Sequence, residues 1–224
     1  MNLFAFRKQL DALILPIVSG IAKLPISANQ WTLVGVLVGC LCAYLLAQGL
    51  LGLGFLALVV RGLCDHLDGY VARNKNDRSM FGAILDDTAD RWILGVIYCG
   101  GCLFLMKSHP HAMLLMGLGI SGALANVIVK SSIYAEASFQ AKRTEGKLSH
   151  PVDLVGLFGS AEFIIYFGAG ILISALTHKT VPMLIGAWLV VVMSHLSLLQ
   201  RIMFAWTHYK NIDPNDNLAS HEQS

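Results

Sequence analysis

Four aspartates inside a 26-residue stretch carry the clearest chemistry in the sequence: Asp65, Asp68, Asp86 and Asp90. They stand in apolar runs, where ionisable side chains are costly and usually functional. Asp65, Asp68 and Ala72 are spaced by three and four, and Gly82, Asp86 and Asp90 by four, so each set shares one helical face. A short polar turn, Asn74 to Ser79, joins the two predicted helices as antiparallel neighbours, which lets the carboxylates converge at one depth. Ionised carboxylates facing one another in a low-dielectric setting repel and need cations. Arg73 and Arg91 are expected to supply part of that charge. An oxygen-only ligand set without Cys or a well-placed His suits Mg²⁺ or Mn²⁺, and two such ions bridged by carboxylates would clamp a phosphate oxygen. Gly69 and Ala72 remove bulk beside Asp68, and Gly82 does so one turn before Asp86, so a nucleotide or pyrophosphate can approach the backbone. The competing explanation of these small residues is close helix packing in lipid.

The rest of the chain must hold those faces in a membrane. Of its 224 residues 55% are hydrophobic and only 13% charged, against roughly 25% charged in soluble domains. A net charge of +2 gives no reason to expect nucleic acid as a partner. The sequence reads as an all-α integral membrane protein, a single domain over residues 1–224. Residues 1–25 form an amphipathic surface helix carrying Leu3, Phe4, Phe6, Leu10 and Leu13 with Arg7, Lys8 and Asp11 between them. No cleavable signal peptide is expected there. A six-helix transmembrane bundle follows over 26–208, with spans near 31–48, 51–73, 80–106, 113–139, 154–176 and 182–204, and then a polar tail, 209–224.

Basic residues orient the bundle. Arg7, Lys8 and Lys23 precede the first span; Arg73, Lys75 and Arg78 follow the second; Lys142, Arg143 and Lys147 follow the fourth; Lys210 follows the sixth. The alternate loops hold only Lys107 and Lys179. The positive-inside rule then places both termini and the carboxylates at the cytoplasmic side of the cell membrane, the inner one in a two-membrane envelope. Cys99 and Cys102 form a CxxC inside an apolar run and read as small buried apolar residues.

The string Asp65-x2-Asp68-Gly69-x2-Ala72-Arg73-x8-Gly82-x3-Asp86-x3-Asp90 resembles the signature of the CDP-alcohol phosphotransferase family, with all eight specified positions filled. The resemblance implies transfer of a substituted phosphate from a CDP-alcohol, CDP-diacylglycerol in the first instance, to a small alcohol acceptor with release of CMP. It also implies a requirement for Mg²⁺ or Mn²⁺, two ions in number, and a homodimer embedded in membrane lipid. Asp65, Asp68 and Asp86 resemble the family's metal ligands. Asp90 resembles its general base and is expected to touch a metal as well. Gly69, Arg73 and Ser79 match donor-contacting positions beside the small residues Ala72 and Gly82, and Asn29, Gln30, Trp31 and Thr32 resemble a second donor-contacting segment. Ala28 stands there in place of the usual Pro. Asp87 lies about 100° off the Asp86 face and reads as a peripheral carboxylate, and His66 points away from Asp65.

The acceptor is less legible. The segment Lys130 to Glu136 is poor in cations, and Phe158 to Phe163 lacks the arginines of the inositol-phosphate-using branch, so an acceptor without a phosphate is expected. Arg201 matches a basic position near the family's acceptor pocket; its plainer role is an interfacial anchor. The rivals are the same chemistry with a phosphorylated polyol acceptor or a soluble CDP-alcohol donor, and a divalent-metal transporter. A transporter would set its charges near the bilayer midplane rather than at one end of two helices.

Overall fold

The structure of the protein is a computed structural model, which describes residues 15–75, 79–136, 143–144, 147–148, 152 and 155–210. The first half of the expected surface helix, Arg78, Lys142 and the tail from 211 lie outside the described residues. Residues 15–21 are helical (α1) and are followed by α2 (Ala28–Gln48), α3 (Leu51–Asn74), α4 (Met80–Met106), α5 (Ala112–Glu136), α6 (Ser160–Thr177) and α7 (Val181–Tyr209). A two-residue antiparallel ladder pairs Arg143–Thr144 with Lys147–Leu148.

Five of these helices, α2, α4, α5, α6 and α7, are long and apolar enough to cross a membrane, the architecture of a multi-pass membrane protein. Of the other two, α1 is too short, and α3 carries Arg61, Asp65, Asp68 and Arg73 along its 24 residues. Polar residues mark the helix ends. Ser27 and Gln30 form a capping box: Ser27 N–H donates to Gln30 Oε1 (2.9 Å), and Gln30 N–H donates to Ser27 Oγ (3.3 Å). Gly49 closes α2 in the left-handed region, φ 85°, its N–H turned back to the carbonyls of the last turn. The next helix starts two residues later, so α2 and α3 are antiparallel neighbours. Ser79 starts α4, its Oγ accepting from Gly82 N–H at 2.9 Å.

Two expected boundaries move by five residues or more: the sixth span is expected to end near Phe204, but α7 runs to Tyr209, and the start of the fifth span shifts as well. The fifth span is expected from Leu154, but α6 begins at Ser160. Gly156 adopts φ 118°, a conformation that no helix contains and that glycine tolerates, so the chain there is irregular.

The described residues fall into two compact units, 1–117 with 160–190, and 118–159 with 191–224. The first is built on α2, α3 and α4. At Gly100 a Cβ would strike the Ala43 backbone, so only glycine lets α4 approach α2 this closely. Tyr98 is buried among Phe163 and Phe167 and donates its hydroxyl to the carbonyls of Leu115 and Ala187, both at 3.1 Å. Polar contacts of this kind tie helices together where lipid offers no hydrophobic drive. In the second unit Asn126 Nδ2 donates to the Ser194 carbonyl (2.8 Å). Cys102 is fully buried, as expected, whereas Cys99 is only half-buried.

Candidate active site

The first unit gathers all four aspartates around one cleft. It is lined by Thr32 and Gly35 of α2, by Arg61, Asp65 and Asp68 of α3, and by Asp86 and Asp90 of α4, among others. The helical repeat is the cause. On α3 the spacing Arg61, Asp65, Asp68 runs down one face, and on α4 Asp86 and Asp90 are one turn apart on the face turned toward it. The antiparallel α3–α4 connection sets the two faces at the same level.

Hydrogen bonds fix the individual carboxylates. Asp68, 5% exposed, accepts from the Thr32 hydroxyl at Oδ2 (3.0 Å). Asp90 accepts from Ser160 Oγ at Oδ2 (2.9 Å), and its Oδ1 is ion-paired with Arg61. Arg61 also stands 3.8 Å from Asp65. Asp65 is the more open of the two partners, with 41% of its side chain exposed against 19% for Asp90.

Arg61 corrects the expected charge balance. Arg91 is engaged one turn back with the exposed Asp87, at 2.8 and 3.1 Å, and does not line the cleft. Arg73 is exposed and folds over Gly69, where a Cβ would lie 3.2 Å from its Nη1. The cation among the aspartates is Arg61, 4% exposed, which the sequence reading overlooked. Its signal was present: a lone arginine in an apolar run, four residues before Asp65 and therefore on the same face.

The other expected site residues divide into two groups. Gly82, Asn29 and Ser79 come together, since a Cβ on Gly82 would meet Asn29 Oδ1 at 2.8 Å and Ser79 Oγ at 2.9 Å. The first turn of α2, which begins three residues before the expected start of the first span, thus meets the start of α4. Gln30, by contrast, spends its side chain in the capping box. Trp31 is buried in an apolar cluster with Val18, Cys64 and Leu67, and Ala72 packs on that cluster. These two have the packing role that small and aromatic residues commonly take. His66 turns its Nδ1 to the Gly62 carbonyl (2.9 Å) along its own helix. In the second unit Arg201 donates to Asn126 O (2.9 Å), Asn126 Oδ1 (3.0 Å) and Val155 O (3.2 Å).

The donor chemistry of the cleft fits a hard divalent ion: its acidic lining is carboxylate only, with no Cys or His. Among the described residues no three His, Cys, Asp or Glu side chains already converge as a ready ligand set. The guanidinium of Arg61 is drawn in among them instead.

Comparison with known proteins places the whole chain. The chain is 31% identical over 207 residues to the archaetidylinositol phosphate synthase of Methanothermobacter thermautotrophicus, covering 92% of this chain and 94% of that one. Its fold is similar to the crystal structure of Mycobacterium tuberculosis phosphatidylinositol phosphate synthase with CDP-DAG bound, with a TM-score of 0.71 and 25% identity over 88% of this chain and 96% of that one. The same enzyme in complex with manganese and citrate superposes with a TM-score of 0.69 at 24% identity, over 88% of this chain and 91% of that one, a likeness of fold. Residues 26–195 match the family described as CDP-alcohol phosphatidyltransferase, and the chain belongs to that family.

Proposed function

We propose that the cleft between α3 and α4 is the catalytic centre, with CDP-diacylglycerol as donor and a phosphorylated polyol of the inositol phosphate type as acceptor. The reaction class follows from the family: a substituted phosphate passes from a CDP-alcohol to an acceptor alcohol and CMP leaves, in phospholipid biosynthesis. Membership of an enzyme family removes the metal-transporter reading. The observation that carries the proposal is the convergence of Asp65, Asp68, Asp86 and Asp90 on one cleft.

Asp65, Asp68 and Asp86, with Asp90 at the edge, would hold one or two Mg²⁺ or Mn²⁺ ions. Such ions, when bound, offset the carboxylate charge and stabilise negative charge on the departing phosphate. Asp90 would take the proton of the acceptor hydroxyl, which is a weak nucleophile until a base within hydrogen-bond reach removes it. Arg73, exposed beside Gly69, is free of the cleft's carboxylates and would add charge-assisted hydrogen bonds to the donor phosphates. Asn29, Ser79 and Gly82 would contact the CDP moiety, and the missing side chain at Gly82 leaves room for it.

The CDP-DAG bound in the similar mycobacterial enzyme supports the donor. For the acceptor, likeness over almost the whole chain to synthases of inositol phosphate lipids outweighs the thin cationic lining that favoured an unphosphorylated alcohol. Arg201 would then face the acceptor phosphate. We read α3 as a sixth span, since 24 residues rise about 36 Å, with both termini and the cleft on the cytoplasmic side and the chain a homodimer. The test is an acceptor screen that measures CMP release from CDP-diacylglycerol. CMP release only with an unphosphorylated alcohol would overturn the acceptor assignment, and none with any alcohol would overturn the donor.

A further inference from the structure

Arg61 is the unusual member of the cleft. A guanidinium withdrawn from water is costly unless it is well paired, and this one is 4% exposed. It is paired across two helices, ion-paired with Asp90 on α4 and 3.8 Å from Asp65 on its own helix. Asp90 is held from a third side by Ser160, the first residue of α6. Both oxygens of Asp90 are therefore engaged, one by a charge and one by a hydroxyl. Among the described residues no ready ligand set for an ion exists in this arrangement, and the positive charge drawn in among the four carboxylates belongs to the protein itself.

We propose that Arg61 is the resident counter-ion of the cleft, holding Asp90 while no divalent ion is bound and setting how tightly the cleft takes one up. The inference rests on the reading of the aspartates as a divalent-ion site. Its physical content is a competition. Arg61 and an ion are attracted to the same carboxylates, so the guanidinium stabilises the empty cleft and weakens the field that an incoming ion meets. Arg61 is thus a positioning residue for Asp90, which can serve an ion or the acceptor's proton only when the guanidinium lets go of it or shares one oxygen. Lysine at position 61 would keep the charge but lose the planar guanidinium, whose Nη2 is the atom turned to both Asp90 and Asp65.

The test uses the full chain in detergent, as wild type, Arg61→Gln, Arg61→Lys, Asp90→Asn and the Arg61→Gln/Asp90→Asn double variant. One readout is thermal unfolding in excess EDTA; the other is Mn²⁺ binding followed by the electron paramagnetic resonance of free Mn²⁺. In EDTA, Arg61→Gln should unfold several degrees below wild type, Arg61→Lys should fall between, and adding Asp90→Asn to Arg61→Gln should recover most of the loss. The Mn²⁺ dissociation constant of Arg61→Gln should fall roughly tenfold or more, because one repelling charge is gone. An Arg61→Gln chain that folds only in Mn²⁺ also supports the proposal. Unchanged stability in EDTA, unchanged or weaker Mn²⁺ binding, or a loss of fold that neither Mn²⁺ nor Asp90→Asn repairs would overturn it. A wild type that binds no Mn²⁺ would end the divalent-ion reading and the affinity half with it, while the EDTA series would still decide whether Arg61 stabilises Asp90.

Discussion

Thr32 donates its hydroxyl to Oδ2 of Asp68 at 3.0 Å, joining the first turns of α2 to the carboxylate face of α3. Both residues are buried, at 8% and 5% exposure. The bond links the segment Asn29 to Thr32 mechanically to the aspartate motif.

Thr32→Val keeps the shape and removes the donor. A buried acceptor left without its partner costs about 1–3 kcal/mol, which in a chain of this size lowers the unfolding midpoint by roughly 2–4 °C per kcal/mol. Thr32→Ser should stay close to wild type. Thermal unfolding in detergent, read side by side for the two variants, checks this; equal midpoints for Val and Ser would show that the bond contributes nothing.

Chelation should abolish turnover. The cleft's acidic lining is carboxylate only, so EDTA is expected to stop CMP release and added Mg²⁺ or Mn²⁺ to restore it. Full activity in excess EDTA would remove divalent ions from the mechanism.

Gly82→Ala tests the proposed donor-contacting edge. The new methyl would lie 2.8 Å from Asn29 Oδ1 and 2.9 Å from Ser79 Oγ, and overpacking of this kind costs roughly 1–3 kcal/mol. The expected result is a KM for CDP-diacylglycerol raised about tenfold with the acceptor KM little changed. Steady-state kinetics varying one substrate at a time separates the two, and an unaltered donor KM would take Gly82 out of the donor site.

Much of the site was legible because helical spacing is a strict rule. Asp65 and Asp68, and Asp86 and Asp90, fall on facing stripes whatever the rest of the bundle does, and the ends of α3 and α4 fell within a residue of expectation because Asn74 to Ser79 is the only polar break between them. Charge pairing was less legible. Arg73 and Arg91 were the arginines near the motif in sequence, yet Arg91 sits one turn from Asp87 and closes an i,i+4 pair outside the cleft. Arg61 is farther from the motif along the chain but on its face, and an apolar neighbourhood hid it. Trp31 and Ala72 show the opposite limit: they stand among the motif's polar residues, yet they pack against Val18, Cys64 and Leu67. The start of α6 was misplaced because hydropathy reads Leu154 to Phe158 as apolar and does not register the positive φ of Gly156.

Arg201 tests the proposed acceptor. Its guanidinium is braced by Asn126 and by the Val155 carbonyl, so it can be presented in a fixed orientation to a phosphate. Removing a hydrogen bond to a charged group costs about 1.5–3 kcal/mol. Arg201→Ala should therefore lower kcat/KM for a phosphorylated acceptor by roughly 10- to 100-fold without changing donor KM. Activity undiminished in Arg201→Ala would place the acceptor phosphate elsewhere.

Asp90 is the centre of the proposed mechanism, and one titration tests it. CMP release from CDP-diacylglycerol is measured for wild type and Asp90→Asn across a range of Mg²⁺, with donor affinity followed in parallel. Asn is nearly isosteric with Asp but cannot take the acceptor's proton. With Asp90 as the base, kcat should fall by roughly 10²-fold or more at every Mg²⁺ concentration, while donor binding persists through Asp65, Asp68 and Asp86. Recovery of most of the rate at high Mg²⁺ would make Asp90 a metal ligand first, and near-normal turnover of Asp90→Asn at low Mg²⁺ would contradict both roles and the mechanism with them.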